Sequence, residues 1–380
     1  MTDSQEIHRP GSGISLPLQG GEVEHYLRER YQVPGAKRNL HSMYYTLRPL
    51  IPRGVQLIFR RWYASIQSNS KFPAWPIEPL LIDKQNEALK NFMISAGVSR
   101  WPFVNFWPDG KRSSIVLTHD VETAEGVANI ERVRKLEEKY GVVSSWNFVP
   151  ERYKFDKGIF RTLRDQGCEI GVHGLYHDGK TFSSRRVFDE RLPRINSFLR
   201  EWQAVGFRSP ATHRNADWMP LIAAEYDSSF PDTDPFEPQA GGCCSIFPFF
   251  LGRLVELPIT MPQDHTLFEI LRYDDISVWE QKARWLIDNR GMVLVIIHPD
   301  YMLSKQSLGQ YERLLGFLRE QESVWFALPM NVARWWKDRA ASDLVTLKET
   351  VRIEGPSTNR GSILWAELHG SEIAYSDSTI

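Results

Sequence analysis

Residues 115–122 read Ile-Val-Leu-Thr-His-Asp-Val-Glu, an apolar run that ends in two carboxylates, Asp120 and Glu122. A short run of β-branched and apolar residues is typical of a buried strand. Similar runs recur along the chain, and most are separated by stretches with helical periodicity. Repeated strand–helix units predict an α/β fold with a parallel sheet, either doubly wound or rolled into a barrel.

About seven strands are predicted between residues 111 and 340, which favours an incomplete barrel over eight regular units. The predicted strands are 114–117, 142–148, 169–172, 205–207, 254–257, 292–297 and 323–327. The predicted helices between them are 126–140, 159–166, 184–202, 276–289 and 310–321. The stretch 227–250 has no periodicity, and a loop of that length inside a compact domain is commonly functional.

Composition limits the classes of protein to which the chain can belong. The 380 residues contain 46 Lys and Arg against 47 Asp and Glu, so net charge gives no case for nucleic-acid binding. Cys168, Cys243 and Cys244 cannot form a disulfide framework, and this count fits a reducing compartment. Residues 1–20 are polar and predict no export signal. We therefore expect a cytoplasmic protein, in solution or at the inner face of the membrane.

The chain is expected to have four parts. Residues 1–20 are predicted to be a disordered tail, and residues 21–110 a mixed, partly helical extension with helices near 22–31 and 83–96. Residues 111–340 form the strand–helix domain, and residues 341–380 a small β-hairpin or tail. Within the extension, residues 47–66 combine four arginines with many apolar residues. Such a segment either contacts an anionic membrane surface or packs as a helix on the main domain.

Polar residues follow the predicted strands at four places. Asp120 and Glu122 follow the first predicted strand. His173, Arg208 and His298 follow the predicted strands 169–172, 205–207 and 292–297. In parallel barrels the carboxyl ends of the strands form one mouth, where we expect these groups to converge. A carboxylate with two imidazoles, from His173 and its neighbour four positions on, His177, is a donor set that suits zinc or a similar divalent ion.

Each group also has a structural interpretation. Asp120 or Glu122 could cap the helix that follows, because carboxylates favour helix N-termini. Arg208 could pair with a surface carboxylate, and His298 could be a satisfied core histidine. The spacing His173-x-x-x-His177 is common by chance.

Taken in order, these motifs resemble the polysaccharide deacetylase family, also called the NodB homology domain or carbohydrate esterase family 4. The resemblance covers residues 111–330 and is carried by 118–122 (THDVE), 173–177 (HGLYH), 208–210 (RSP) and 295–298 (VIIH). It implies a distorted (β/α)7 barrel and a metal-dependent hydrolase that removes N-acetyl groups from an amino-sugar glycan. The implied metal is Zn²⁺, with Co²⁺, Ni²⁺ or Mn²⁺ as alternatives.

The resemblance also implies roles for residues. Asp120 is expected to be the general base, Glu122, His173 and His177 the metal ligands, and His298 the general acid, with Arg208 keeping Asp120 ionised. The chain departs from the usual family pattern in three places. Val121 separates two carboxylates that are usually adjacent, so the roles of Asp120 and Glu122 could be reversed. Gly174 stands where Ser or Thr is usual. The residue that supports the acid is not clear, and the candidates are Asp227, Asp232 and Asp234.

Several residues near strand ends are candidates for substrate contact: Trp146, Trp218, Tyr301, Asp264, His265, His213 and Arg214. Aromatic rings could stack on a sugar, and His213-Arg214 could face an anionic group. Cys243-Cys244 could ligate a second metal, although packing is the simpler interpretation. Two rival functions remain open. One is hydrolysis of a non-sugar amide or ureide on the same fold, and the other is a catalytically silent carbohydrate-binding relative.

Overall fold

A computed structural model describes residues 21–32, 53–68, 71–347 and 350–377. Its strands are β1 Arg100–Val104, β2 Ser113–Val121, β3 Ser145–Phe148, β4 Glu169–His173, β5 Gly206–Arg208, β6 Tyr226–Asp227, β7 Phe249–Leu251, β8 Leu254–Glu256, β9 Met292–Ile297, β10 Val324–Phe326, β11 Asp343–Leu347, β12 Thr350–Glu354, β13 Ile363–His369 and β14 Glu372–Ser376. The predicted tail, residues 1–20, lies outside the described residues.

The helices surround the sheet and extend both ends of the chain. They are α1 Gly21–Leu27, α2 Arg53–Gln67, α3 Leu80–Ala96, α4 Ala124–Lys139, α5 Gly158–Asp165, α6 Arg185–Glu201, α7 Ser277–Asp288, α8 Lys305–Arg319 and α9 Pro329–Ala340. A π-helical segment, His265–Ile270, follows β8. Among the described helices, none is both long and apolar enough to cross a bilayer.

The central sheet is a strongly curled parallel sheet. Seven parallel strands run in the order β9, β2, β3, β4, β5, β6, β8, while β10 pairs with the start of β2 and β7 lies antiparallel to β8. The gap between β8 and β9 is bridged just past β8, where the Met261 backbone N–H donates to the Leu294 carbonyl at 3.1 Å. The expected distorted α/β barrel is therefore confirmed.

Strand β2 is an interior strand of the sheet, between β9 and β3, and all nine of its residues are buried. A parallel strand is covered on both faces, which explains its nearly continuous apolar sequence. Its side chains alternate between the faces. Leu117 and Val121 pack in the hydrophobic cluster that contains residues of α4 and α8, whereas Val116 packs with residues of β9 and α9. Asp120 therefore lies on the same face as Val116, and His119 on the opposite face.

The two ends of the chain form a second sheet. Strand β1 pairs with β13, and β13 pairs with β14, in antiparallel register. Strands β11 and β12 form a separate hairpin. The C-terminal region therefore has two hairpins where one hairpin or a tail was expected, and the second is completed by a strand of the N-terminal extension. The division of the chain at residues 110 and 340 stays a prediction.

The N-terminal extension is held against the barrel by buried polar contacts. Glu29 forms a salt bridge with Arg214, and both side chains are almost fully buried. The Tyr31 hydroxyl donates to the Gly242 carbonyl at 2.6 Å. Helix α2 contacts the π-helical segment, where the Arg61 guanidinium donates to the Glu269 carbonyl at 2.9 and 3.0 Å. Residues 47–52 of the predicted basic segment lie outside the described part of the chain.

Candidate active site

The polar groups that follow β2, β4, β5 and β9 meet at the mouth of the barrel. Arg208 Nη1 lies 3.1 Å from Asp120 Oδ1, and His173 Nε2 lies 3.9 Å from Asp120 Oδ2. His298 Nε2 lies 3.8 Å from Glu122 Oε1. These residues are up to 178 positions apart in the chain. The parallel sheet brings them together because all its strands end at the same edge.

Asp120 is buried and held as a carboxylate. Its Oδ1 accepts hydrogen bonds from Asn147 at 2.9 Å and from Arg208 at 3.1 Å. Burial alone would raise its pKa, but Arg208, His173 and His298 together with the Asn147 amide lower the pKa of Asp120 to about 2. An ionised carboxylate with one oxygen anchored can accept a proton at the other. Sequence reasoning missed Asn147, although its position at the end of β3 could have suggested it.

Glu122, His173 and His177 form a group suited to a metal ion. One donor atom from each lies within 4.8 Å of the others. His177 Nε2 is 2.7 Å from Glu122 Oε1. His173 Nδ1 lies 3.2 Å from the Arg208 carbonyl, and donation to that oxygen would leave Nε2 as the free ligand atom. Two imidazoles and one carboxylate fit zinc and similar divalent ions, and this donor set does not identify which one.

Gly174, the departure from the usual His-Ser/Thr motif, has a steric reason. Its φ is +64°, and a Cβ added there would lie 2.4 Å from Pro210 Cδ. Pro210 belongs to the Arg208-Ser209-Pro210 motif on the neighbouring strand end. Glycine thus lets the histidine loop and the arginine loop approach each other closely.

Asp300 fixes the backbone that carries Glu122. It accepts hydrogen bonds from the Glu122 backbone N–H at 2.9 Å and from the Thr123 hydroxyl at 2.5 Å. Thr123 is also the N-cap of α4, accepting from Gly126 N–H at 3.2 Å. The capping residue is therefore neither Asp120 nor Glu122, and both carboxylates remain directed to the mouth. Sequence reasoning missed Asp300, which lies two residues after His298.

His298 is oriented by a carboxylate. Its Nδ1 lies 2.6 Å from Asp264 Oδ1, and its backbone N–H donates to Asp264 Oδ2 at 2.8 Å. Burial would lower its pKa, but the charges of Asp264, Glu122 and Asp120 raise the pKa of His298 to about 10. The Nε2 atom of this ring faces Glu122, so a protonated ring would donate towards the metal-suited group. We call His298 and Asp264 the mouth pair.

The contact of Asp264 with His298 corrects two expectations about aspartates. Asp264 was expected to touch substrate, but it lies behind His298. Of the candidates for supporting the acid, Asp227 accepts from the Ser229 hydroxyl, Asp232 pairs with Lys282, and Asp234 accepts from the Phe236 N–H. The pattern gave no signal for this role of Asp264, because Asp264 lies eight residues after β8, at the N-cap of the π-helical segment.

Two of the proposed substrate contacts lie away from the mouth. Trp146 is fully buried and stacks on His119, with ring centroids 4.0 Å apart, on the outer face of the sheet. Arg214 is committed to Glu29. Neither can reach a substrate, because their positions face the helix layer and the N-terminal extension respectively. His213 is half-buried, and Trp218 packs beside Phe188 at 5.7 Å.

His265 and Tyr301 lie beside the mouth pair. The Tyr301 ring is 5.4 Å from His298 and 4.8 Å from His265. Burial, with the charges of His298 and Arg60, lowers the pKa of His265 to about 4, so this ring is neutral near pH 7. Cys243 and Cys244 are buried and free, and the metal-suited group found among the described residues does not include them.

Comparison with known proteins gives structural neighbours of low sequence identity. A protein from Mycobacterium smegmatis described as a polysaccharide deacetylase has 16% identity and a TM-score of 0.49, covering 65% of this chain and 98% of that one. PuuE allantoinase has 15% identity and a TM-score of 0.47, covering 60% and 92%. Peptidoglycan deacetylase PdaC from Bacillus subtilis has 12% identity and a TM-score of 0.39, covering 60% and 94%.

No protein-family model matches the chain, and no curated protein matches it. The neighbours include the family that the sequence motifs resemble. At these identities, however, the function must be argued from the residues of this chain.

Proposed function

We propose that the chain is a divergent polysaccharide deacetylase, a metal-dependent hydrolase that removes N-acetyl groups from an amino-sugar glycan or glycan precursor. The observation that carries the proposal is the convergence of three units on one mouth: the group Glu122, His173 and His177, the ionised Asp120, and the mouth pair. A metal-ligand group, a base and an acid are the parts that amide hydrolysis requires.

Glu122, His173 and His177 would hold a divalent cation, which we propose to be Zn²⁺. When bound, such an ion acidifies water and polarises an acyl oxygen. Neighbouring groups hold this set in place: the Arg208 carbonyl orients His173, and Asp300 fixes the Glu122 backbone.

Asp120 would accept the proton of the attacking water. Arg208 and Asn147 occupy one of its oxygens, which leaves Oδ2 directed towards His173. Both contacts stabilise the carboxylate form, so the base stays ionised over the ordinary pH range. Arg208 therefore acts by positioning Asp120 and keeping it charged.

His298 would donate a proton to the leaving nitrogen. An amine leaves poorly as an anion, so cleavage of a carbon–nitrogen bond needs an acid near that atom. Asp264 holds the ring through Nδ1, which leaves the protonated Nε2 facing the metal-ligand group. Tyr301 and His265, beside this ring, are placed to contact the sugar part of a substrate.

The test combines metal analysis with acetate release from a panel of N-acetylated amino sugars, oligosaccharides and glycan precursors. We expect one divalent ion per chain and acetate release that stops on chelation and returns on adding metal. His173→Ala should lose both metal and turnover. His369→Ala is a matched control, because His369 is an exposed histidine on β13.

The outcomes separate the rival functions. Stoichiometric metal with no acetate release from any sugar, but with turnover of a ureide or small amide, would replace this proposal with the non-sugar hydrolase. Neither metal nor turnover would indicate a catalytically silent carbohydrate-binding relative.

A further inference from the structure

Helix α2 packs its more polar side on the protein and exposes its apolar side, the opposite of an ordinary surface helix. Arg60, Arg61, Ala64 and Gln67 lie on one side, where Ala64 and Gln67 are buried and Arg61 bonds to the π-helical segment. The opposite side carries the large apolar side chains of Phe59, Trp62 and Ile66, which are 54%, 64% and 49% exposed. Their spacing of three and four places them on one stripe of the helix. Surface helices normally bury the apolar stripe and expose the charged one.

Helix α2, whose exposed side carries the apolar stripe Phe59, Trp62 and Ile66, packs on a segment beside the candidate active site. Helix α2 packs on the segment His265–Ile270, and the charge of Arg60 is felt by His265. His265 in turn contacts Tyr301 beside the mouth pair. Two loops of the mouth also expose large apolar residues, Tyr176 between the ligand histidines at 43% and Leu303 after His298 at 44%. Exposed apolar residues are thus present on α2 and on two loops of the mouth.

The charge of this region favours an anionic surface as its partner. Residues 33–77 contain seven Lys and Arg and no Asp or Glu, while the whole chain has a net charge of −1. Arg60 and Arg61 face the barrel, where Arg60 lies 4.0 Å from Glu237 and Arg61 donates to the Glu269 carbonyl, so the other five provide the excess of positive charge in this sequence. Basic residues attract anionic lipid headgroups, and exposed Trp and Phe side chains insert at the boundary between headgroups and acyl chains. A protein partner would need complementary shape, whereas a bilayer accepts any stripe of this kind.

We propose that the apolar stripe of α2 binds the surface of an anionic phospholipid bilayer. Membrane binding stands independently of the catalytic activity. The consequence for substrate does rest on the proposed function: the acetylated saccharide would be one carried at the membrane surface.

The binding test is cosedimentation of the full chain with vesicles of phosphatidylglycerol and phosphatidylcholine, compared with phosphatidylcholine alone. We expect binding to the anionic vesicles that weakens at high salt. The triple variant Phe59→Ser, Trp62→Ser, Ile66→Ser should weaken it by about tenfold or more. The matched control is Ile94→Ser, Val143→Ser, Phe250→Ser, which removes three residues exposed to 58%, 40% and 41% outside α2, and should bind normally.

A probe on the helix locates the contact. Cys168, Cys243 and Cys244 are all buried, so an environment-sensitive fluorophore can be attached selectively to Trp62→Cys. Its emission should shift to the blue when anionic vesicles are added. No binding by the unmodified chain, or equal loss in both triple variants, would overturn the proposal. A concentration-dependent dimer that the α2 variant abolishes, with no vesicle binding, would assign the stripe to a second copy instead.

Catalysis is read out separately. Acetate release from a soluble acetylated sugar should be unchanged in the α2 variant, because the metal-ligand group and the mouth pair are intact. Loss of vesicle binding with normal turnover therefore tests the membrane proposal alone, and turnover absent from both proteins would count against the catalytic proposal alone.

Discussion

Two histidine–carboxylate pairs have their histidines on or next to the neighbouring strands β2 and β9 and have different surroundings. In the mouth pair, Asp264 holds His298, whose Nε2 faces Glu122. In the second, which we call the helix-layer pair, His119 Nε2 lies 2.7 Å from Glu137 Oε1. The chemical groups are alike, and only the mouth pair can reach a substrate.

The helix-layer pair is enclosed, and both oxygens of its carboxylate accept hydrogen bonds. Glu137 also accepts from Tyr311 at 2.7 Å, Ser144 at 2.8 Å and Arg134 at 2.5 Å. The His119 ring stacks on Trp146. Because strand residues alternate between faces, His119 and Asp120 are neighbours in sequence with opposite environments. Strand alternation thus decides which histidine has access to the mouth, and this access separates a catalytic histidine from a structural one.

Exchange of each histidine should give the largest contrast. His298→Gln removes the proton donor and should lower the turnover of acetate release by about 10²- to 10⁴-fold, with metal still bound. His119→Gln should leave turnover per folded molecule unchanged while lowering the midpoint of urea unfolding. Steady-state kinetics on metal-quantified protein, with unfolding curves for both variants, make the measurement. A large loss of turnover in His119→Gln would contradict the structural role of His119.

Exchange of each carboxylate sharpens the contrast. Glu137→Gln removes the nearer and buried anionic partner of Arg134 and leaves only the half-exposed Glu138 at 3.8 Å, and losing one partner of a buried pair costs about 3–5 kcal/mol of unfolding free energy. Asp264→Asn should instead lower turnover by about 10- to 100-fold, the usual effect of losing an orienting partner. Urea unfolding and kinetics distinguish them. If Asp264→Asn retained full turnover, the orienting role of Asp264 would be wrong.

A buried carboxylate without a histidine should respond to pH in the opposite direction from a paired one. Burial raises the pKa of Glu169 from 4.5 to about 7, despite hydrogen bonds from Tyr226 and the Met330 N–H. The pKa of Glu169 is higher in the folded protein than in the unfolded chain. Its contribution to the free energy of unfolding is therefore complete below about pH 4.5 and is lost as pH rises through about 7. The loss should approach 3 kcal/mol, an order-of-magnitude figure.

Urea unfolding of the wild type and Glu169→Gln between pH 5 and 8 tests this expectation. The stability of the wild type relative to the variant should fall across that range, because the glutamine does not ionise. Parallel pH profiles for the two proteins would show that Glu169 does not titrate there.

Much of the fold could be predicted from local patterns. The predicted strand 292–297 coincides with β9, and the predicted helix 184–202 contains α6. Strand β6 was missed because it has only two residues. Helix α9 was missed although its buried residues Val332, Ala333 and Trp336 have helical spacing. The pairing of β1 with β13 joins residues more than 250 positions apart, so no local pattern could reveal it.

The candidate site was predictable where residues follow strands and was not where tertiary contacts decide. Asp120, Glu122, His173, Arg208 and His298 lie at strand ends and come together as the parallel topology requires. Trp146 is also on a strand, but side-chain alternation turns it to the outer face. Asp264 supports His298 through a π-helical turn, whose geometry has no clear sequence pattern.

The most direct test of the central claim is the metal content and acetate-release rate of Asp120→Asn beside Glu122→Gln. Asp120→Asn should keep a full equivalent of metal and lose turnover by about 10²- to 10⁴-fold, whereas Glu122→Gln should lose the metal. Metal lost from Asp120→Asn and retained by Glu122→Gln would contradict the division of roles between the two carboxylates.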